Sequence, residues 1–185
     1  IFRTDDRESF TVHARYFECG PAANDIGAGL APPVPLAEFS RALHEGGRSR
    51  VAHLDLSQAL GCAGPATSPS LCASFVRVAP GEPITTRADA SSELFHVIRG
   101  EGHTRVGDAR ISWSQGDCFT LPGRSAAEHF ATGDTALYWV HDQPLLNHLG
   151  VTAERARFEP TLYPREHALA ELRKAEQGAR SGEPD

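Results

Sequence analysis

The chain lacks several features that would assign it to a particular class of protein. It has no Met among its 185 residues and begins at Ile1. Such a composition is unusual for a complete translated protein of this size, so we expect one or both ends to be missing. No apolar run approaches the roughly 20 residues that a membrane helix needs, and no basic start precedes an apolar segment. The sequence therefore favours a cytoplasmic protein that does not act at a membrane.

Positive charge is also scarce. The chain has 18 basic and 24 acidic residues, a formal net charge of -6. This balance argues against a nucleic-acid partner and favours a small neutral or anionic organic ligand. The cysteines include no C-x-x-C pair, so their spacing indicates neither a zinc ribbon nor a disulfide framework, and we expect reduced, mostly buried thiols. They are Cys19, Cys62, Cys72 and Cys118.

Short strands dominate the predicted secondary structure. Turns containing Gly or Pro separate most of them, as in antiparallel hairpins, and many short strands at this spacing predict a sandwich or barrel. Alternation of residue type over residues 10–17 predicts an early strand at a sheet edge. Helical spacing predicts a short amphipathic helix over 36–43 and a longer one over 166–177. The strands are predicted over 51–56, 72–79, 94–99, 103–106, 109–113, 118–121 and 136–141.

The segment from Gly81 to Gly100, followed by Gly116 to Pro122, resembles the paired motifs of the cupin superfamily. Both glycines of the first motif and its glutamate, Glu93, stand in register. The resemblance implies an all-β fold, a double-stranded β-helix or jelly-roll barrel, with an N-terminal arm and a C-terminal helix. We expect the arm, short helix and edge strands in 1–70, the barrel in 71–150, and a helix and linker towards a missing second cupin in 151–185.

The histidines of the family motif are absent. Metal-binding cupins use three imidazoles and one carboxylate, but here Arg87, Asp89 and Ala127 stand at the three histidine positions. An arginine side chain cannot lose its proton to become a ligand, so we expect no metal at the usual site. One alternative keeps a metal: His129 lies two residues past Ala127, on the same face of a strand, and could converge with Asp89 and Glu93.

Two further interpretations of these charged residues remain open. Arg87, Asp89 and Glu93 could form an internal ion-pair network in place of the metal, or Arg87 could bind a carboxylate or phenolate guest. At the end of a predicted strand, Trp139 and His141 occupy a place where pocket residues often lie, although packing and a turn would also explain them. The candidate ligand-binding residues are Arg87, Asp89, Glu93, His129, Trp139 and His141, and no catalytic residue is assigned.

The stretch from Leu137 to Gly150, together with the long N-terminal arm, resembles two-cupin proteins related to gentisate and hydroxynaphthoate dioxygenases. That family opens aromatic rings with Fe(II) and dioxygen. The resemblance implies a first, metal-poor half that supports assembly or binds a small aromatic acid, with Fe(II) in a second cupin. The segments 10–17 and 26–36 suggest a homodimer. The alternatives are a stand-alone, non-catalytic cupin and a metalloenzyme using Asp89, Glu93 and His129, so whether this chain is an enzyme stays open.

Overall fold

Short strands joined by tight turns pair into two antiparallel sheets. The computed structural model describes residues 35–181. A six-stranded sheet has the order β1-β2-β9-β4-β7-β10, and a four-stranded sheet has the order β3-β8-β5-β6. The strands are β1 (Arg50–His53), β2 (Cys72–Val78), β3 (Ile84–Thr86), β4 (Ser92–Arg99), β5 (Glu101–Val106), β6 (Ala109–Ser114), β7 (Cys118–Pro122), β8 (Ala127–Ala131), β9 (Thr135–His141) and β10 (Thr161–Tyr163).

Alternation of side chains along the strands places the hydrophobic core between the sheets. In β4, Glu93, Phe95 and Val97 are buried, while Leu94 between them is 42% exposed. The partner strands follow the same rule, since Phe95 lies opposite Phe119 of β7 and Trp139 of β9. The described residues therefore form an all-β jelly-roll barrel, as predicted. Its core consists of Val76, Val78, Ala88, Ala90, Phe95, Val97, Val106, Ile111, Trp113, Phe119, Leu121, Ala127, Leu137 and Trp139.

One glycine is needed where the chain turns from β4 into β5. Gly100 has φ +90°, and a Cβ atom there would overlap the Thr135 hydroxyl. An L side chain rarely adopts this backbone conformation, and the close contact leaves no room for one. The turn between the two sheets therefore depends on glycine at this position.

Helices lie outside the strand pairs. They are α1 (Ser57–Leu60), α2 (Gln143–Leu149) and α3 (Arg165–Ser181). The predicted helix over 166–177 is confirmed by α3, but the one over 36–43 is wrong, because only a 3₁₀ turn forms there, Arg41–His44. Gly46 and Gly47 follow that turn with positive φ, and such residues do not continue a helix. The predicted strand over 10–17 lies outside the described residues.

Three strands were not predicted. β3 and β10 have three residues each, and β8 follows an irregular turn at Arg124, which has φ +72°. These strands form through long-range partners: β3 pairs with β8, and β10 pairs with β7. A periodic pattern needs more residues than such segments offer, so pairing rather than local sequence determines them. Within residues 35–181, no helix combines the length and hydrophobicity needed to cross a membrane.

Asp117 attaches α3 to the barrel. One of its carboxylate oxygens accepts a hydrogen bond from the Arg165 backbone N–H at 2.8 Å, and the other accepts from the Ser114 backbone N–H at 2.8 Å. The first turn of a helix has unsatisfied N–H groups, so a carboxylate there stabilises the helix start. The side chain of Asp117 thus fixes both the β6–β7 turn and the beginning of α3.

Candidate functional site

Aromatic side chains occupy the interior of the barrel. Phe95 stacks on Phe119, with ring centroids 4.7 Å apart and planes 5° from parallel. Trp139 lies against Phe95 at 5.9 Å, and Trp113 lies against Phe119 at 6.3 Å. All four side chains are at most 3% exposed. We call this row, Trp139, Phe95, Phe119 and Trp113, the aromatic stack; it fills this part of the barrel interior.

His129 lies beside the aromatic stack and is fully buried. Its ring centroid is 5.0 Å from that of Phe95. Its Nε2 atom is 2.9 Å from the Thr86 hydroxyl, and its Nδ1 atom is 2.8 Å from the Thr104 hydroxyl. Burial lowers the pKa of His129 to about 3, so the ring is neutral at physiological pH. A neutral imidazole has one donor and one acceptor, and here both are used.

Thr104 connects His129 to the aromatic stack. The Trp113 indole N–H donates a hydrogen bond to the Thr104 hydroxyl at 2.8 Å. Every polar atom of this buried group therefore has a partner, which is the usual condition for polar groups in a core. The arrangement is that of a satisfied structural histidine rather than a poised ligand.

Glu93 is a buried carboxyl group at one end of the aromatic stack. It is 1% exposed, and its Oε2 atom accepts a hydrogen bond from the Trp139 indole N–H at 2.8 Å. Its Oε1 atom is buried and has no partner within the described part of the chain. Burial raises the pKa of Glu93 to about 7, Asp142 adds to this rise, and the Trp139 hydrogen bond opposes it. The carboxyl can therefore be protonated near neutral pH and donate a hydrogen bond.

His141 pairs directly with Glu93 across strands β9 and β4. Burial, with a smaller contribution from His53, lowers the pKa of His141 to about 4. The Gln143 backbone N–H donates to His141 Nδ1 at 3.4 Å. A neutral ring that accepts at Nδ1 carries its proton on Nε2, so His141 is also a hydrogen-bond donor at this end of the barrel.

Three residues that the sequence analysis did not select lie at the same end. The Ser74 hydroxyl is 2.8 Å from His53 Nδ1, and Cys72 Sγ is 3.9 Å from the same nitrogen. Only the pairing of β1 with β2 and of β2 with β9 brings these residues next to His141. Alternation within the predicted strands places Cys72 and Ser74 on one face, but no local signal indicates which strands are neighbours.

The predicted ion-pair network of Arg87, Asp89 and Glu93 is wrong. Thr86, Ala88 and Ala90 are buried, so alternation turns the side chains of Arg87 and Asp89 outwards, where both are exposed. Within residues 35–181, neither of them forms an ion pair. The family motif predicted these positions to face inwards, but the inward positions are one residue earlier.

The alternative metal site is also wrong. Asp89 is exposed, Glu93 contacts Trp139 at one end of the aromatic stack, and His129 uses both ring nitrogens for threonine hydroxyls. A metal needs the lone pair of an unprotonated ring nitrogen, and the one on His129 is already engaged. Among the described residues, no group of three or more His, Cys, Asp or Glu side chains is arranged to hold a metal ion. The residues present do not fit the iron site of the dioxygenase-like cupins.

A small cavity of about 170 Å³ reaches Glu93 and His141. Its other lining residues include Leu71, Leu94 and Val140, which makes it largely apolar. Ligand pockets usually measure roughly 300–1,000 Å³, so this cavity holds few atoms without a rearrangement.

Much of the barrel matches a known domain family. The family described as Cupin domain matches residues 74–141, which run from the start of β2 to the end of β9. The barrel is similar to a cupin half of gentisate dioxygenase-like proteins, as the sequence motifs predicted.

The curated relatives that match this chain are named as dioxygenases. Gentisate 1,2 dioxygenase 1 of Aquipseudomonas alcaligenes is 34% identical over 92 residues, which cover 49% of this chain and 26% of that protein. The 5-aminosalicylate 1,2-dioxygenase of Comamonas sp is 30% identical over 95 residues, which cover 51% of this chain and 25% of that protein. The matched part thus spans about a quarter of these relatives.

Solved structures give a weaker likeness. A salicylate 1,2-dioxygenase from Pseudoaminobacter salicylatoxidans, in an adduct with gentisate, has a TM-score of 0.47 and 20% identity, covering 60% of this chain and 28% of that one. A Cupin 2 conserved barrel domain protein from Leptotrichia buccalis has a TM-score of 0.44 and 16% identity, covering 56% of this chain and 45% of that one.

Proposed function

We propose that this chain is a metal-poor cupin domain of a two-cupin protein related to ring-cleaving dioxygenases, acting in the cytoplasm. Its role is to support assembly, against a second cupin domain or a second copy of the chain, rather than to open a ring itself. In such a protein Fe(II) would be held by the second cupin. The curated relatives support the family connection, and the barrel interior supports the division of roles.

One observation carries this proposal: the side chains on the inner face of the barrel pack against one another and form hydrogen bonds with one another. His129 holds two threonine hydroxyls, and the aromatic stack occupies the space beside it. Taking His129 as a ligand would break at least one buried hydrogen bond, and an unsatisfied buried polar group costs about 1–3 kcal/mol. An iron site would therefore have to be built at the expense of the core.

Elemental analysis tests the metal-poor assignment. The purified chain is supplied with Fe(II) without oxygen, desalted and analysed beside His129→Ala. We expect far less than one iron per chain in both proteins. Iron near one per chain in the wild type that is lost in His129→Ala would overturn the proposal and support a metalloenzyme.

A matched pair of variants controls for metal lost during preparation. Thr86→His with Ala88→His places two imidazoles on the inward face that His129 shares, whereas Arg87→His with Asp89→His places them outside. Iron retained by the inward pair alone would show that the preparation keeps a metal bound when ligands face the interior. Retention by the outward pair would show that the assignment of inner and outer positions is wrong.

The assembly role has its own measurement. The mass of the full chain in solution at micromolar concentration should be that of a dimer if two copies associate, and addition of the second cupin domain should convert it to a hetero-complex. A chain that stays monomeric alone and in the presence of the second domain would contradict the supporting role.

A second candidate function is binding of a small aromatic acid at Glu93, Trp139 and His141. The unpartnered Oε1 atom of Glu93 favours it, because a protonated carboxyl there can donate to a ligand carboxylate. Salicylate is a suitable probe. Quenching of tryptophan emission that saturates in the wild type and disappears in Glu93→Leu would support this function, and equal quenching in both would exclude it.

A further inference from the structure

A second, larger cavity lies beside α2. Its volume is about 500 Å³, which falls in the range of small-molecule sites. Leu146 of α2 and Ser91 of the β3–β4 turn form part of its wall, and the segment after α2 completes it. The lining residues are Ser91, Leu146, Thr152, Ala153, Glu154, Arg155 and Arg157.

The segment after α2 is held in place by the barrel. Gly150 ends the helix with φ +65°, and the Val151 N–H returns to the Leu146 carbonyl at 3.0 Å. The Arg124 guanidinium donates to the Ala153 carbonyl at 2.5 Å. Arg124 has φ +72°, unusual for a residue with a side chain, so the β7–β8 turn adopts an unfavourable conformation while its side chain fixes this wall.

The opposite wall is fixed as well. The backbone N–H of Ser91 donates to one Asp142 oxygen at 2.7 Å, and its hydroxyl donates to the other. Asp142 immediately precedes α2. The cavity is therefore bounded by two segments whose positions the barrel determines, and a ligand need not order them on binding.

The lining carries excess positive charge in a chain whose net charge is -6. Arg155 and Arg157 are exposed, and within residues 35–181 neither forms an ion pair. Among the described residues that line the cavity, Glu154 is the single acidic one. A guanidinium presents paired N–H donors that match the two oxygens of a carboxylate, and Leu146 and Ala153 offer apolar surface beside them.

We propose that this cavity is a binding site for a small organic carboxylate, held by Arg155 and Arg157 at its charged end and by Leu146 at its apolar end. The site is separate from Glu93 and from the aromatic stack. It does not depend on whether the barrel binds metal or supports a second cupin.

Benzoate is the probe, and backbone amide shifts of the ¹⁵N-labelled full chain are the readout. We expect saturable shifts at Leu146, Thr152 and Ala153, while the indole N–H signals of Trp113 and Trp139 in the barrel stay unchanged. The neutral analogue benzyl alcohol should bind at least about tenfold more weakly, because it cannot pair with a guanidinium.

The variant Arg155→Gln with Arg157→Gln should weaken benzoate binding by at least about tenfold. Both side chains are exposed, so the barrel signals should be retained. The control is Arg173→Gln with Lys174→Gln on α3, which changes the net charge equally and should leave the affinity unchanged.

Three results would overturn the proposal. They are the absence of saturable shifts with benzoate, equal benzoate affinity in the Arg155 and Arg157 variant, and displacement of benzoate by inorganic phosphate at equal concentration. The last would show a general affinity for anions rather than a site for an organic acid. Shifts confined to the tryptophan signals would place benzoate in the barrel instead.

Discussion

Glu93 combines a buried position with only one hydrogen bond from the part of the chain that the structure describes. Its carboxylate form is disfavoured because the protein interior solvates charge poorly and a single indole N–H offsets little of that cost. A carboxyl with a raised pKa binds its proton more tightly in the folded than in the unfolded protein. Its contribution to stability is therefore present at low pH and is lost as the pH rises.

Glu93→Gln should remove this pH dependence. As the pH rises from 4.5, the ordinary pKa of Glu, to about 7, the pKa of buried Glu93, the unfolding free energy of the wild type should fall relative to that of the variant. The total difference should be about 3 kcal/mol by pH 8. Urea unfolding from pH 5 to about pH 8 measures it. Comparing the two proteins cancels the opposite pH dependence of His129 and His141, whose lowered pKa values destabilise the fold as the pH falls.

Glu101→Gln is the matched control, since Glu101 is an exposed carboxylate on β5. It should keep the wild-type pH dependence. If the unfolding free energy of Glu93→Gln varied with pH in the same way as that of the wild type, the pKa of Glu93 would not be raised in the folded protein.

His129 stabilises the barrel through its two hydrogen bonds and its volume. His129→Ala would leave the Thr86 and Thr104 hydroxyls unsatisfied and a void beside Phe95. We expect a loss of about 3 kcal/mol in unfolding free energy. Chemical unfolding at neutral pH measures it, with His148→Ala on the exposed side of α2 as the control. A change as small as that of the control would contradict the packing role.

At the scale of elements, α3 depends on its first turn. Asp117→Ala removes the acceptor for the Arg165 N–H and for Ser114. Amide exchange over residues 165–177 should speed up by about tenfold, corresponding to about 1–2 kcal/mol for the loss of a capping carboxylate. Hydrogen–deuterium exchange with mass spectrometry gives the readout. Asp108→Ala in the β5–β6 turn serves as the control, and unchanged α3 exchange would rule out the attachment.

Much of the barrel could be predicted because apolar and polar residues alternate along its longer strands, or because these strands end at glycine. β2, β4, β5, β6, β7 and β9 were predicted to within a few residues. The site was less predictable, since it depends on which face is inward. A one-residue offset puts Thr86 and Ala88 inside and Arg87 and Asp89 outside, and motif spacing alone does not reveal it. Likewise, His53, Cys72 and Ser74 join His141 only through pairing between distant strands.

At the scale of the molecule, the hydrophobic core of the described residues is formed by the strands of the barrel and the turns between them. The core cluster and the apolar residues packed on it run from Val51 to Leu162. A chain limited to residues 37–181 should therefore fold, with β-type circular dichroism and one cooperative thermal transition. A broad, non-cooperative transition would contradict this expectation and would show that residues before Ala37 are needed for the barrel.

The aromatic stack also determines the optical properties of the protein. The chain has two tryptophans, and both lie in the stack, Trp113 at one end and Trp139 at the other. Tryptophan emission therefore originates inside the barrel and should be blue-shifted as long as the barrel is closed. Because the Trp139 indole donates to Glu93, emission intensity should also titrate with that carboxyl, which gives an internal reporter of protonation without any added dye.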